Sequence, residues 1–247
     1  MRATQKTFHI SESKDRLDEI LNESDTSFEE LKEIPDVSRL TFKNGYYVDC
    51  SSIFIDIRRS KALTDVHKRP TLAKIYRCFI SEMVAVFSDE TRCREINIQG
   101  DCVWGVFNTP LREDIKSIIN VMARANSVRK LINKRLSKKA ITQIDVGIGA
   151  SYGTALMVKA GFYGSAINDI IYMGDVVNMA SKMCSLGDTG DATKSAQVIT
   201  PVVYDNLDDT YQKFFTAKYE NGNYYTKSHY TVDLIDSSFD NWADANA

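Results

Sequence analysis

Two aspartates stand where carboxylates from separate parts of the chain could meet. Asp56 lies near the end of an apolar run at residues 52–57, and Asp101 follows Gly100 in a tight turn. If the strands flanking that turn lie beside the first strand, the two carboxylates converge on one point. Mg²⁺ prefers oxygen ligands and keeps waters for substrate phosphates, so such a pair suits a metal-bound nucleotide. The plainer alternative is that Asp101 is a turn residue and Asp56 a strand-end cap.

Composition limits what else the chain can be. Its 247 residues, 43% of them hydrophobic, predict one domain with extensions. A formal net charge of −2 gives no broad basic surface, so we expect no nucleic-acid partner. Five cysteines without CxxC spacing and three histidines favour neither structural zinc nor a disulfide framework. A polar amino terminus and the lack of a long apolar run predict no membrane span and a cytoplasmic location.

Hydrophobic periodicity predicts an α+β fold. Amphipathic helical spacing before Pro35 indicates an extension over residues 1–40, and Asn221-Gly222 indicates a late hairpin. Between them we expect strands at 52–57, 95–98, 102–107, 144–150, 155–159 and 198–199, and helices at 71–87, 111–139 and 174–183. This order predicts a ferredoxin-like core, with an antiparallel sheet and helices, over residues 41–236, followed by a tail at 237–247.

Three local sequences occur in a telling order. They are Phe54-Ile55-Asp56-Ile57-Arg58-Arg59-Ser60, then Gly100-Asp101 with Phe107 beyond it, then Gly174-Asp175-Val176-Val177-Asn178-Met179-Ala180-Ser181-Lys182. Together they resemble the catalytic domain of class III adenylate and guanylate cyclases, over roughly residues 48–235. The resemblance implies a class III cyclase fold and a homodimer with active sites at the subunit interface.

The resemblance also implies roles for single residues. Asp56 and Asp101 would bind two divalent metal ions, Mg²⁺ or Mn²⁺, with help from the backbone carbonyl of Ile57. Asn178 would lie near the ribose, and Lys182 stands where the family has an arginine, which loses the bidentate fork. The alternative for Lys182 is a solvated surface charge. The family's late phosphate-binding lysine matches either Lys218 or Lys227.

The base-selecting positions depart from the purine cyclases. They match Asn97 and Ile171, which fit neither the adenine nor the guanine pair, although a short alignment slip would bring in Asp169. Phe54 and Arg58 instead resemble the pyrimidine cyclases of bacterial Pycsar antiphage systems. An arginine offers only donors, which favours uracil over cytosine. The alternative is that Phe54 is core and Arg58 a surface cation.

The expected activity is therefore conversion of a pyrimidine nucleoside triphosphate, UTP before CTP, to its 3′,5′-cyclic monophosphate and pyrophosphate. The Pycsar resemblance implies a second messenger in antiphage defence, read by a separate effector that responds to the cyclic nucleotide. Two alternatives remain open: an adenylate cyclase making cAMP, and a cyclase-like module that senses nucleotide without turnover. A diguanylate cyclase is disfavoured because its Gly-Gly-[Asp/Glu]-Glu-Phe loop is absent.

Overall fold

The computed structural model describes residues 5–162, 168–219 and 227–246, and these form an α+β fold. The strands are β1 (Phe28–Leu31), β2 (Gly45–Arg58), β3 (Cys93–Gln99), β4 (Cys102–Asn108), β5 (Asp145–Gly161), β6 (Asn168–Met173), β7 (Gln197–Ile199), β8 (Thr216–Tyr219) and β9 (Lys227–Val232). The helices are α1 (Ile10–Leu21), α2 (Ser60–Val66), α3 (Arg69–Asp89), α4 (Ile115–Ser137), α5 (Asp175–Leu186), α6 (Pro201–Asp205), α7 (Asp209–Gln212) and α8 (Ser237–Asn246). The predicted fold class is confirmed.

One mostly antiparallel sheet organises the molecule. Its main path runs β3-β4-β2-β5-β7-β9-β8, with β1 attached to β2 and β6 attached to β5. The β1–β2 and β5–β7 pairs are parallel, and the other pairs are antiparallel. β2 is central and is paired with β5 along its whole length. The strand that carries Asp56 is therefore held on both sides.

The two faces of the sheet have different cover. Side chains alternate along β2, so Ile53, Ile55 and Ile57 share one face, where they join the main core with α3 and α4. Phe54, Asp56 and Arg58 point to the opposite face. The same face of β5 carries α5, and only glycines permit this close packing. A Cβ at Gly149 would lie 1.9 Å from the Cys184 backbone nitrogen.

One prediction about the strands was wrong. The stretch around Ser151 and Gly153 looked like a break between two strands, but β5 continues from residue 145 to 161. Its pairing with β2 runs without interruption from Arg58↔Asp145 to Gly45↔Val158. Ser151 tolerates burial because its hydroxyl is hydrogen-bonded to that of Thr200, at 3.3 Å.

The ends of the chain also form structure. In the amino-terminal extension, β1 adds to the sheet beside β2, and Ile34 is buried. The carboxy-terminal segment forms α8, which ion pairs such as Lys130–Asp240 hold on α4. The proposed domain limits at residues 40 and 236 stay predictions. Within the described ranges, no helix is long and apolar enough to cross a membrane.

Candidate active site

The two aspartates converge as the strand pattern requires. β4 pairs with β2 so that Asp56 faces Cys102, the residue after Asp101. The backbone N–H of Ile57 donates to the Asp101 carbonyl, at 3.4 Å. Gly100 turns the chain with a φ of +64°, a conformation that costs a non-glycine residue energy. The tight turn thus places the Asp101 carboxylate beside the end of β2.

The two carboxylates repel each other electrostatically. The pKa of the Asp56 carboxyl is raised to about 6, mainly by burial and also by the negative charge of Asp101, while the Arg58 cation and a hydrogen bond from the Ile57 backbone oppose the shift. The Asp56 side chain is 30% exposed. A partly buried pair of carboxylates that repel each other, one on a paired strand and one in the adjoining turn, can accept a cation.

The oxygen donors suit a hard divalent cation whose coordination shell is completed by the substrate. No group of three or more histidine, cysteine, aspartate or glutamate side chains in the described part of the chain could enclose a metal. Two carboxylates and a backbone carbonyl supply only part of a six-fold oxygen shell. Such a shell leaves positions for water and phosphate oxygens, as in metal-nucleotide enzymes. Asp56, Asp101 and the Ile57 carbonyl are the residues that would hold metal ions.

A row of side chains crosses the sheet two residues before Asp56 on β2. Phe54 pairs with Trp104, and Trp104 pairs with Asn97 on β3, so all three lie on the face that carries Asp56. The Phe54 and Trp104 rings stack in parallel, with centroids 5.0 Å apart and an interplanar angle of 3°. Both side chains are half-buried. The row offers aromatic surface for a nucleobase and a polar amide beside it.

The other predicted base residue lies on β6. Ile171 is 36% exposed and pairs with Val158, far along β5 from the metal position. The Asp169 charge nevertheless adds to burial in raising the pKa of the Glu95 carboxyl on β3. Strand β6 therefore lies close to β3, with Asp169 near Glu95.

Arg58 is turned towards α5. Its Nη2 donates to the Cys184 backbone carbonyl, at 2.6 Å, and contacts the Cys184 Sγ, at 3.1 Å. Its Nη1 lies 3.4 Å from the Asp56 Oδ2. The side chain is 17% exposed, so Arg58 is not the surface cation of the plainer alternative. Its two terminal nitrogens are engaged within the chain in this structure, and their contact with a base would need another rotamer.

Asn178 and three lysines form the second set of predicted site residues. Asn178 and Lys182 are exposed on the outer side of α5, while Ala180 and Met183 face the sheet. Lys218 on β8 pairs with His229 on β9. Burial lowers the pKa of His229, and the charges of Lys218 and Lys182 lower it further. Both lysines therefore lie near this histidine, whereas the Lys227 side chain lies outside the described residues.

Several residues at the site were missed by sequence reasoning. Trp104 stacks on Phe54, His229 lies among the lysines, Cys184 holds Arg58, and the Tyr76 hydroxyl on α3 has its pKa raised by burial and by the Asp101 charge. Only Trp104 carried a usable signal, since an aromatic residue three positions after Asp101 falls on the same face of a strand pair as Phe54.

Comparison with known proteins agrees with this geometry. The model of the adenylate and guanylate cyclase catalytic domain matches residues 42–225. A protein of Gulbenkiania mobilis named uridylate cyclase is 41% identical, with 100% of both chains covered. Another of the same name from Treponema porcinum is 35% identical, covering 95% of this chain and 80% of its own.

Solved structures share the fold. The crystal structure of the adenylyl cyclase CyaB from P. aeruginosa superposes with a TM-score of 0.60 at 17% identity, covering 76% of this chain and 95% of its own. A likeness at this identity concerns the architecture alone. The family match spans both aspartates and α5, and the predicted resemblance is confirmed: this chain belongs to the adenylate and guanylate cyclase catalytic domain family.

Proposed function

We propose that this protein is a pyrimidine nucleotidyl cyclase that converts UTP, in preference to CTP, to the 3′,5′-cyclic monophosphate and pyrophosphate. The observation that carries the proposal is the meeting of Asp56 and Asp101 beside the aromatic pair of Phe54 and Trp104. The choice of a pyrimidine substrate is supported by two relatives, at 41% and 35% identity, that are both named uridylate cyclase.

The reaction exchanges one phosphorus–oxygen bond for another. The ribose 3′-hydroxyl releases its proton to water, its oxygen bonds to the α-phosphorus, and the bond from that phosphorus to the leaving pyrophosphate breaks. Asp56, Asp101 and the Ile57 carbonyl would hold two divalent ions, Mg²⁺ or Mn²⁺. When bound, these ions supply acidification of the hydroxyl and charge neutralisation of the triphosphate.

The remaining residues orient the substrate. Asn178 hydrogen-bonds the ribose in this proposal, and Lys182 with Lys218 supplies positive charge to the phosphates. Lys182 lies one helical turn after Asn178, so both lie on the same side of α5. Phe54 and Trp104 offer the base an apolar surface, and Asn97 offers it an amide.

The two carboxylates and the residues of α5 would act together across a homodimer. One subunit contributes the carboxylates and the other contributes Asn178 and Lys182, so that a two-fold dimer holds two composite sites. Asp56→Ala and Asn178→Ala chains, each almost inactive alone, should regain activity when mixed, because one intact composite site forms. Verified subunit exchange without recovery would contradict the composite site.

The substrate assay is direct. The purified protein is incubated with Mn²⁺ and each of the four ribonucleoside triphosphates, and the products are identified by mass, with Asp56→Ala as the matched control. We expect cyclic UMP as the main product and cyclic CMP second. A preference for ATP would overturn the pyrimidine assignment, and tight nucleotide binding without product would indicate a sensing module.

In the cell, the cyclic pyrimidine nucleotide would act as a second messenger. A separate effector that binds it would give the response, in antiphage defence as the Pycsar resemblance implies, and the enzyme would work in the cytoplasm without nucleic acid. Deleting the gene should then raise phage plaque counts, and complementation with Asp56→Ala should not restore protection.

A further inference from the structure

Arg58 joins two parts of the chain that the proposed function assigns to different active sites. Its guanidinium lies between the Asp56 carboxylate, 3.4 Å from Nη1, and the Cys184 carbonyl, 2.6 Å from Nη2. The Arg58 Nε is buried and has no partner among the described residues. An arginine held in this way at 17% exposure is fixed in direction by its neighbours.

The sequence makes a place for this guanidinium. A Cβ at Gly147 would lie 2.4 Å from the Arg58 Nη2, so a larger residue on β5 would push the arginine out. The Cys184 thiol donates to the Gly147 carbonyl, at 3.2 Å, and accepts from Arg58. The last turn of α5 contains no basic residue of its own. Arg58 therefore supplies the cation that stabilises the negative end of this helix.

We infer that Arg58 is a positioning residue that couples the two active sites of the dimer. This inference rests on the composite homodimer proposed above. Within one subunit, Arg58 fixes α5, which carries Asn178 and Lys182, relative to the strand that carries Asp56. Because α5 serves one site and Asp56 serves the other, a change at Arg58 reaches both sites.

The rival role is contact with the base, or with the Asp56 carboxylate that would hold the metal, in the site of its own Asp56. The two roles differ in which subunit must carry the arginine. Contact with the base or with the metal-binding carboxylate is needed only in the subunit whose carboxylates are working. The coupling role is also needed in the subunit that contributes only α5.

A heterodimer with a single working site separates these roles. One subunit carries Asn178→Ala and keeps its carboxylates, while its partner carries Asp101→Ala and keeps α5. Two different affinity tags allow purification of the mixed dimer. Asp101→Ala is chosen over Asp56→Ala because it leaves the carboxylate neighbour of Arg58 in place. Arg58→Met is then introduced into the subunit that contributes only α5.

We expect this substitution to lower kcat by about tenfold with a smaller change in KM, because displacement of positioning groups by even 1 Å lowers rates strongly. Arg58→Lys in the same subunit should restore part of the loss, since a lysine keeps the charge but not the fork. Arg77→Met, at an exposed position of α3, is the matched control and should have little effect.

Hydrogen exchange gives a readout that does not depend on turnover. Without nucleotide, Arg58→Met should speed exchange at the backbone amides of residues 185–187, which follow the carbonyl that Arg58 binds. Loss of activity only when Arg58→Met stands in the subunit with working carboxylates would overturn the coupling, as would no loss in either subunit. An inactive parent heterodimer, with active wild type, would instead contradict the composite site itself.

Discussion

The carboxylate half and the cationic half of the site are built differently. Asp56 sits on β2, whose register is fixed by continuous pairing, and is half-buried, while Asp101 sits in the tight turn that joins the paired strands β3 and β4. Asn178 and Lys182 sit on the exposed face of α5, and Lys218 sits on β8, at the other end of the sheet. One half is rigid and holds like charges together, whereas the other presents like charges to solvent.

The two halves meet different requirements: metal ligands need precise placement, whereas phosphate-binding lysines need to supply charge. Metal ligands must be placed within fractions of an ångström, which paired strands achieve better than long side chains. Lysines that neutralise a triphosphate need reach more than precision, because each is a point charge on a flexible stem. Substitutions in the carboxylate half should therefore abolish almost all activity, and substitutions in the cationic half should reduce it only in part.

The largest effect is expected at the carboxylates. Asp56→Ala or Asp101→Ala should lower kcat/KM by more than about 1000-fold, because each removes an oxygen ligand from a site that has two carboxylates to offer. Circular dichroism should show an intact fold, and cyclisation assays with Mn²⁺ measure the loss. Asp65→Ala, at an exposed position of α2, serves as the matched control. Near-normal turnover in both variants would contradict the metal site.

A smaller effect is expected at the cations. Lys182→Ala should lower kcat/KM by about ten- to a hundredfold, equivalent to about 1.5 to 3 kcal/mol for a charge-assisted hydrogen bond. Lys182→Arg should retain activity, because a guanidinium can bind two phosphate oxygens at once. Lys61→Ala on α2 is the control for loss of an exposed lysine. If Lys182→Ala has wild-type kinetics, Lys182 is a solvated surface charge.

The sequence predicts the carboxylate half better for a physical reason. Strand alternation and a Gly-Asp turn are local signals, so the position of Asp101 beside Asp56 follows once the strands are paired. The break predicted in β5 was wrong because small polar residues near Ser151 resemble a turn, and only the facing strand shows that they are paired. The main elements of the fold were recoverable from periodicity, but the continuity of a strand was not.

Side-chain direction was the least predictable feature. The spacing of Phe54 and Arg58 suggested that both face a base, and Phe54 does stack in an aromatic row. The direction of Arg58 depends on Cys184, 126 residues away, and on the space that Gly147 leaves. No pattern within one segment contains that information. The proximity of Lys182 on α5 to His229 on β9 likewise depends on how distant segments of the chain come together.

The smallest expected effect concerns stability. The pKa of Asp56 is raised to about 6 in the folded metal-free protein, against 3.8 in the unfolded chain. Between these two pH values the folded protein keeps a proton on Asp56 that the unfolded chain releases. The free energy of unfolding should therefore fall as pH rises from about 4 to 6, and the full penalty should persist above that window. Asp56→Asn removes the ionisation, so at pH 7.5 without metal it should be more stable than wild type by about 1 to 2 kcal/mol. At pH 4.5 the difference should be smaller.

Urea denaturation in a chelating buffer at the two pH values measures this difference, with exposed Asp65→Asn as the control. Adding Mn²⁺ should stabilise the wild type and not Asp56→Asn, since the cation then offsets the repulsion between the carboxylates. The same substitution would thus strengthen the fold and abolish the activity, which is the behaviour expected of a rigid half that holds like charges together for a metal. Equal stabilities at both pH values would mean that Asp56 is solvated in the folded state and that the two halves differ less than their geometry indicates.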